Sequence, residues 1–278
     1  MVGVLREISV TCFFSSYLVA LGLELLRAAG RIPGRGLMVA VMTAVGIFTH
    51  IVFLTLGIAD AGDGHGLLAS WTDWALLVAL MLAFVYIAVY LRRPETVVGL
   101  FFLPAVLAMI ALAVLVRDRA TFSRGDATEI WRTVHGGAMT VGTGIVMLGF
   151  LAGVMYLVQS WRLKNHRAGS RWKLPTLETL VRWNRMAMIA ATVTVGIGVL
   201  AGVVMNLNRW GYVGWTDRGV LLSIGLFLWL LAAAAMDTWA HWIGRNRKAV
   251  YLMIASAIFL VVAVAGVLST SHGGGGVG

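Results

Sequence analysis

Four histidines lie where an imidazole can bind a metal or carry a proton. His135 and His272 fall at the predicted outer ends of two hydrophobic segments, His50 lies inside a third, and His241 lies near the inner end of a fourth. Polar residues inside a membrane span are costly and tend to be functional, which favours a ligand or proton-relay role for His50 over simple packing. Imidazole is also a good axial ligand for haem iron. His135 and His272 would bind such an iron from opposite sides.

A tryptophan-rich segment, Trp210 to Asp217, lies between His135 and His272 in sequence and on the same predicted side. Its rings offer flat apolar surfaces on which a porphyrin can stack. Tryptophans at a membrane boundary are usually an aromatic belt, and a histidine at a helix end is often only an interfacial polar residue. The residues alone therefore favour a bis-histidine haem site without establishing one. Three arginines stand where they would pair with anionic haem propionates: Arg132, Arg209 and Arg218.

The chain that must position these residues has the composition of a membrane protein. Hydrophobic residues make up 60% and charged residues 12%, with a mean hydropathy of +0.88. A soluble domain carries about a quarter charged residues. The single cysteine, Cys12, excludes an internal disulfide or a CxxC redox pair. No P-loop, Rossmann glycine fingerprint or HExxH motif occurs.

Eight apolar runs have about the 20 residues needed to span a bilayer. The first is too long for a signal-peptide core and lacks a cleavage site, so we expect it to be the first spanning helix. The sequence thus predicts an all-α, polytopic transmembrane helical bundle of about eight helices, forming one transmembrane domain over residues 1–278. The predicted spans are 8–27, 37–58, 71–91, 96–116, 133–158, 185–206, 219–242 and 249–269.

The distribution of Lys and Arg predicts the orientation of these helices. Loops after the first, third, fifth and seventh runs hold about twice as many of them as the opposite side. The positive-inside rule therefore places both termini, His135, His272 and the tryptophan-rich segment outside. The formal charge of +10 is scattered over short loops rather than gathered on one face, which argues against nucleic-acid binding and for a lipid bilayer as the surroundings.

Glycines recur at helical spacing in the fifth and sixth runs. Gly142, Gly149 and Gly153 follow one another at spacings of seven and four, and Gly198 and Gly202 form a small-xxx-small pair. Such glycines let helix backbones approach closely in lipid, so we expect close packing there.

Several stretches follow a known pattern. Leu174 to Leu180 reads Leu-Pro-x-Leu-Glu-x-Leu, and it is preceded by Tyr156 to Gln159 and by Arg162 to Lys164. Pro104 stands inside the fourth run, after Phe102 and Leu103. With the four histidines, these stretches resemble the cytochrome c assembly family of haem-handling membrane proteins, particularly its CcsA, ResC and HemX branch.

The outer segment resembles the family's tryptophan-rich motif, Trp-Gly-x-x-Trp-x-Trp-Asp, in part. Trp210, Gly211 and Asp217 match it in register, while Trp215 is displaced by one position. Two positions where the family has tryptophan carry other residues, Gly214 and Thr216.

The resemblance implies roles for individual residues. It implies haem b as the cofactor, held transiently or permanently, with apocytochrome c and a ResB/CcsB-like membrane protein as partners. It also implies the bacterial inner (plasma) membrane as the location, with the haem site facing outward. The implied iron ligands are the external pair His135 and His272, and His241 with His50 for a second haem site within the membrane. The implied haem-presenting residues are Trp210, Gly211, Trp215 and Asp217, flanked by Arg209 and Arg218.

We therefore predict a haem-handling protein of cytochrome c biogenesis, of the system II type, that presents haem for attachment to apocytochrome c. Whether it is itself part of a haem lyase or synthetase complex stays open. One alternative is a permanent b-type haem subunit that transfers electrons in a respiratory complex. Another is a regulatory scaffold without haem, in which replacing His135 and His272 changes nothing.

Overall fold

The computed structural model describes residues 9–28, 33–60, 68, 70–117, 129–165, 173–242 and 248–269. Within these residues the chain forms eight α-helices and no β-strand, and each predicted run corresponds to one helix. This confirms the all-α prediction. The helices are α1 (Val10–Leu25), α2 (Arg35–Asp60), α3 (Trp71–Arg92), α4 (Gly99–Leu115), α5 (Glu129–Lys164), α6 (Leu177–Trp210), α7 (Arg218–Trp242) and α8 (Lys248–Ser269).

Five helices, α2, α3, α5, α6 and α7, contain segments long and apolar enough to cross a membrane. Three shorter apolar segments lie in α1, α4 and α8. Many large apolar side chains point outward from the helices, as expected where lipid tails are the solvent. The protein is a multi-pass membrane protein.

Helices α5 and α6 are longer than their predicted spans. They contain 36 and 34 residues, about 50 Å each, against a hydrocarbon core of about 30 Å. The chain from 159 to 184, predicted as a connection, is helical up to Lys164 and again from Leu177. The side chain of Thr176 caps α6 by accepting a hydrogen bond from the Thr179 amide, so the helix begins eight residues before its apolar run.

The helices form two compact units. The first comprises Met1–Arg119 and Arg162–Pro175, and the second comprises Ala120–Trp161 and Thr176–Gly278. The prediction of one transmembrane domain over the whole chain stays a prediction.

In the first unit, a buried carboxylate joins the ends of several helices. Glu24, in the last turn of α1, is fully buried and lies 3.1 Å from the Arg35 guanidinium and 3.7 Å from that of Arg27. Arg27 also donates hydrogen bonds to the carbonyl oxygens of Glu95 and of Thr96, the latter at 2.8 Å. These contacts fix the turn between α3 and α4 against the end of α1.

In the second unit, α5, α6, α7 and α8 share an apolar core. A side chain at Gly149 would collide with Met253, which confirms close packing at this glycine. The amide of Asn184 donates to the Gly149 carbonyl at 3.0 Å, and Arg185 pairs with the buried Asp237 at 3.1 Å. The buried core residues are Val146, Met188, Ala191, Val195, Leu226, Leu230, Ala233, Met253, Ala257 and Leu260.

Candidate functional site

His135 lies one and a half turns inside α5 rather than at its start, because the helix begins at Glu129. Its imidazole is half-buried and packs on the backbone of α6. Nδ1 lies 2.7 Å from the carbonyl oxygen of Gly198, and a Cβ atom at Gly202 would lie 2.8 Å from Nδ1. Helix α6 therefore holds this histidine by a hydrogen bond and by direct contact.

The tryptophan-rich segment links the end of α6 to the start of α7. Gly211 ends α6 with φ +73°, in the left-handed region, and its amide donates to the Leu207 carbonyl at 2.9 Å. Most other residues are strained in this conformation, which explains the glycine that follows Trp210. Trp210 and Trp215 expose 58% and 62% of their surface. The segment thus presents two large aromatic side chains to its surroundings.

Asp217 has a structural role in this segment. Its carboxylate accepts hydrogen bonds from the amides of Gly219 and Val220, at 2.8 and 3.2 Å, and so caps the first turn of α7. Val213 is buried and anchors the middle of the segment. Arg218, the first residue of α7, is exposed. The cap fixes where α7 starts and therefore where Trp215 and Arg218 stand.

Helix α6 connects the contact of His135 with the tryptophan-rich segment. Gly202, which contacts His135, precedes Trp210 by eight residues, or about 12 Å of helix rise. The point of α6 that contacts His135 therefore lies about two turns from the exposed Trp210. A ligand held by His135 that reaches the end of α6 would meet its ring.

His50 lies in α2 of the first unit and is fully buried. The Phe13 ring stacks on its imidazole at a centroid distance of 4.2 Å and an angle of 2°, and Tyr17 meets it edge-on at 6.3 Å. Among the described residues, neither imidazole nitrogen has a hydrogen-bond partner. Such a group is costly in an apolar interior, and ligand binding is one way to offset that cost.

Several predicted site residues cannot be placed in full. His272 lies outside the described residues. Arg209 and His241 lie in α6 and α7, but their side chains are outside the described set. His135 contacts the glycines of α6, and the tryptophan-rich segment lies in the same second unit.

Three features fit a haem at His135. The imidazole is anchored through one nitrogen, it packs against the glycines of α6, and Trp210 is exposed about 12 Å of helix rise beyond Gly202. Among the described residues, no group of three or more His, Cys, Asp or Glu side chains could hold a bare metal ion.

Sequence reasoning missed the residues that contact the predicted histidines. Phe13 and Tyr17 belong to α1, and nothing in their spacing points to His50. The Gly198-x-x-x-Gly202 pair was a usable signal, but close packing of helices was sufficient to explain it.

Comparison with known families settles which family this is. Residues 68–273 match the family model described as Cytochrome C assembly protein, about three-quarters of the chain. The chain belongs to the cytochrome c assembly protein family. No curated protein and no solved structure matches the chain.

Family membership confirms the resemblance seen in the sequence. As a cytochrome c assembly family member with helices that can span a membrane, the protein has a role in cytochrome c biogenesis at a membrane. The matched region contains His135, His241, His272 and the tryptophan-rich segment. Helices α1 and α2, which include His50, precede it.

Proposed function

We propose that this cytochrome c assembly family member binds haem b on the outer side of the bacterial inner membrane and presents it for attachment to apocytochrome c. His135 and His272 would hold the haem iron. The anchored imidazole of His135, in hydrogen-bond contact with α6, carries this proposal. A ligand fixed by its second nitrogen is a common arrangement in metal sites.

The residues around His135 would position the bound group. Trp210 and Trp215 would stack on the porphyrin, and Arg209 and Arg218 would pair with its propionates. Bound haem supplies the iron and the vinyl groups that are joined to the cysteine thiols of the apocytochrome. The chain itself contributes ligation, orientation and exclusion of oxidants, which lowers the entropic cost of bringing the two reactants together.

A second haem site within the membrane forms part of the proposal. His241 would receive haem from the cytoplasmic side before it reaches the outer site, and His50 would serve as a haem ligand within the first unit. The burial of His50 and its two unpartnered nitrogens support a ligand role. A ResB/CcsB-like membrane partner would then give the apocytochrome access to the outer site.

A permanent b-type haem subunit is the second candidate function. The observation that favours it is the enclosed position of His50, because a ligand in the apolar interior suits a haem that stays in place. Both candidates need haem, but only the first needs a transfer step. Transfer therefore separates them.

The transfer test mixes membranes containing the haem-loaded protein and its partner with an apocytochrome that carries two cysteines and a histidine. We expect covalently bound haem to appear on the apocytochrome, measured by haem staining after denaturing electrophoresis. An apocytochrome with both cysteines replaced by serine serves as the control. Haem that stays with the protein and is reversibly reduced and oxidised would contradict transfer and favour the electron-transfer subunit.

The two exposed tryptophans of the tryptophan-rich segment are expected to contribute to haem affinity. A Trp210→Ala/Trp215→Ala variant is expected to bind haem about thirtyfold more weakly, because each lost ring contact costs about 1 kcal/mol. Haem affinity is measured by titrating the purified apoprotein and following the Soret band. Trp161→Ala is the matched control, since this residue is 54% exposed and lies 26 residues after His135 along α5. Equal affinity of both variants would exclude stacking on this segment.

A further inference from the structure

The backbone of α6 forms a slot for the His135 imidazole, lined by Gly198 and Gly202. A Cβ atom at Gly202 would lie 2.8 Å from Nδ1 and 3.0 Å from Cε1, closer than real Cβ contacts allow. At Gly198 a Cβ atom would lie 3.2 Å from the Met139 side chain, one turn along α5 from His135. The ring of His135 therefore packs on the α6 backbone because Gly202 lacks a side chain, while Gly198 supplies the carbonyl that it contacts.

The hydrogen bond in this slot fixes the tautomer of the histidine. Nδ1 lies 2.7 Å from the Gly198 carbonyl oxygen, which can only accept, so Nδ1 carries the proton and donates. A carbonyl oxygen has two lone pairs, so it can accept this bond besides the bond within the helix. In a neutral imidazole the lone pair is then on Nε2. Among the described residues, Nε2 has no hydrogen-bond partner.

We propose that the Gly198–Gly202 slot positions His135 so that Nε2 is the nitrogen that binds haem iron, which makes Gly202 a positioning residue of the site. This inference rests on the proposed function, since it needs His135 as a ligand. It goes further by assigning the ligating nitrogen and by giving the glycine pair a role besides helix packing. Donation from Nδ1 to a carbonyl raises the basicity of the ligand and holds the ring in one orientation.

The test compares two glycine substitutions on the same helix. Gly202→Ala places a methyl group against the His135 ring, and Gly196→Ala places one at 2.8 Å from the Phe227 ring of α7, away from His135. Both crowd a helix interface, so similar losses of thermal stability are expected. Only Gly202→Ala is expected to lower haem affinity, by about tenfold, as loss of a ligand's supporting contact does.

The reduction potential gives a readout that a packing defect alone would not move. Loss of the bond to Gly198 makes the imidazole less basic, so the midpoint potential of bound haem in Gly202→Ala is expected to shift positive. Gly196→Ala is expected to keep the potential of the wild type. Equal midpoint potentials in the wild type, Gly202→Ala and Gly196→Ala would contradict the proposed role of the slot. If His135→Ala still loses haem, the assignment of His135 as a ligand remains.

The wild-type protein provides a measurement that does not depend on how a variant folds. Histidine labelled with ¹⁵N at either Nδ1 or Nε2 is incorporated, and the ferric protein is studied by electron spin echo spectroscopy. The wild-type protein should give a signal that His135→Ala lacks. In this signal we expect the strong coupling of a directly bound nitrogen when the label is at Nε2. Strong coupling from a label at Nδ1 in that signal would contradict the proposed role of the slot and leave the proposed function in place. Haem bound identically by His135→Ala would overturn the proposed function and the slot together.

Discussion

Replacing His135 with alanine is expected to lower the haem affinity of the protein by more than about 100-fold. Loss of a residue that only supports a metal ligand costs 10- to 100-fold in affinity, and loss of the ligand itself costs more. The imidazole is held against α6 by a hydrogen bond of 2.7 Å, so a flexible neighbour cannot easily take its place. Haem affinity is measured by titration of the apoprotein in detergent.

Two controls separate ligation from general damage in this experiment. His166→Ala removes a histidine from a predicted inner loop and should leave haem binding unchanged. Adding free imidazole to His135→Ala should restore a low-spin spectrum, because the small molecule fits the space that the side chain leaves. Unchanged affinity in His135→Ala, or an equal loss in His166→Ala, would contradict the role of His135.

Replacing Glu24 with glutamine is expected to lower the free energy of unfolding by about 3–5 kcal/mol. The carboxylate is fully buried and faces the guanidinium groups of Arg35 and Arg27. Removing its charge leaves two largely buried cations without compensation, which is far more costly than the net value of the intact pair. The midpoint of thermal unfolding in detergent, followed by circular dichroism, should fall by several degrees.

A second ion pair of the same chemistry serves as the control for Glu24. Glu178 pairs with Arg182 at 3.6 Å on α6, and its side chain is 87% exposed. An exposed pair contributes about 1 kcal/mol or less, so Glu178→Gln should leave the midpoint almost unchanged. Similar midpoints for the two variants would show that the buried cluster does not stabilise the first unit.

The number and order of the helices could be predicted because lipid requires long apolar segments. Every run found from hydropathy became a helix. The ends of the long helices could not be found in this way, since they lie in polar sequence. Helix α6 starts at Leu177 because Thr176 caps it, not because its first residues are apolar. A threonine followed by an acidic residue in the first turn was a helix-start signal that hydropathy alone did not use.

The role of His135 as a haem ligand stays a prediction from the sequence, and the residues that surround it could not be predicted. The sequence pointed to His135 through its place near the end of a predicted span and through the resemblance to the family. Its hydrogen-bond acceptor is the backbone carbonyl of Gly198. Every residue has such a carbonyl, so the sequence cannot indicate which one is the acceptor. Asp217 was predicted to present haem, and the structure shows that it caps α7. An aspartate just before an apolar helix is a cap signal that spacing alone could have found.

The most direct test of haem binding is the absorption spectrum of the wild-type protein, purified in detergent from cells that make haem in excess. We expect a b-type spectrum, with sharp α and β bands on reduction and a Soret band typical of two histidine ligands. The haem should be released by acidified solvent, since it is not covalently bound to this chain. Protein that folds, carries no haem and takes up none on titration would contradict the account.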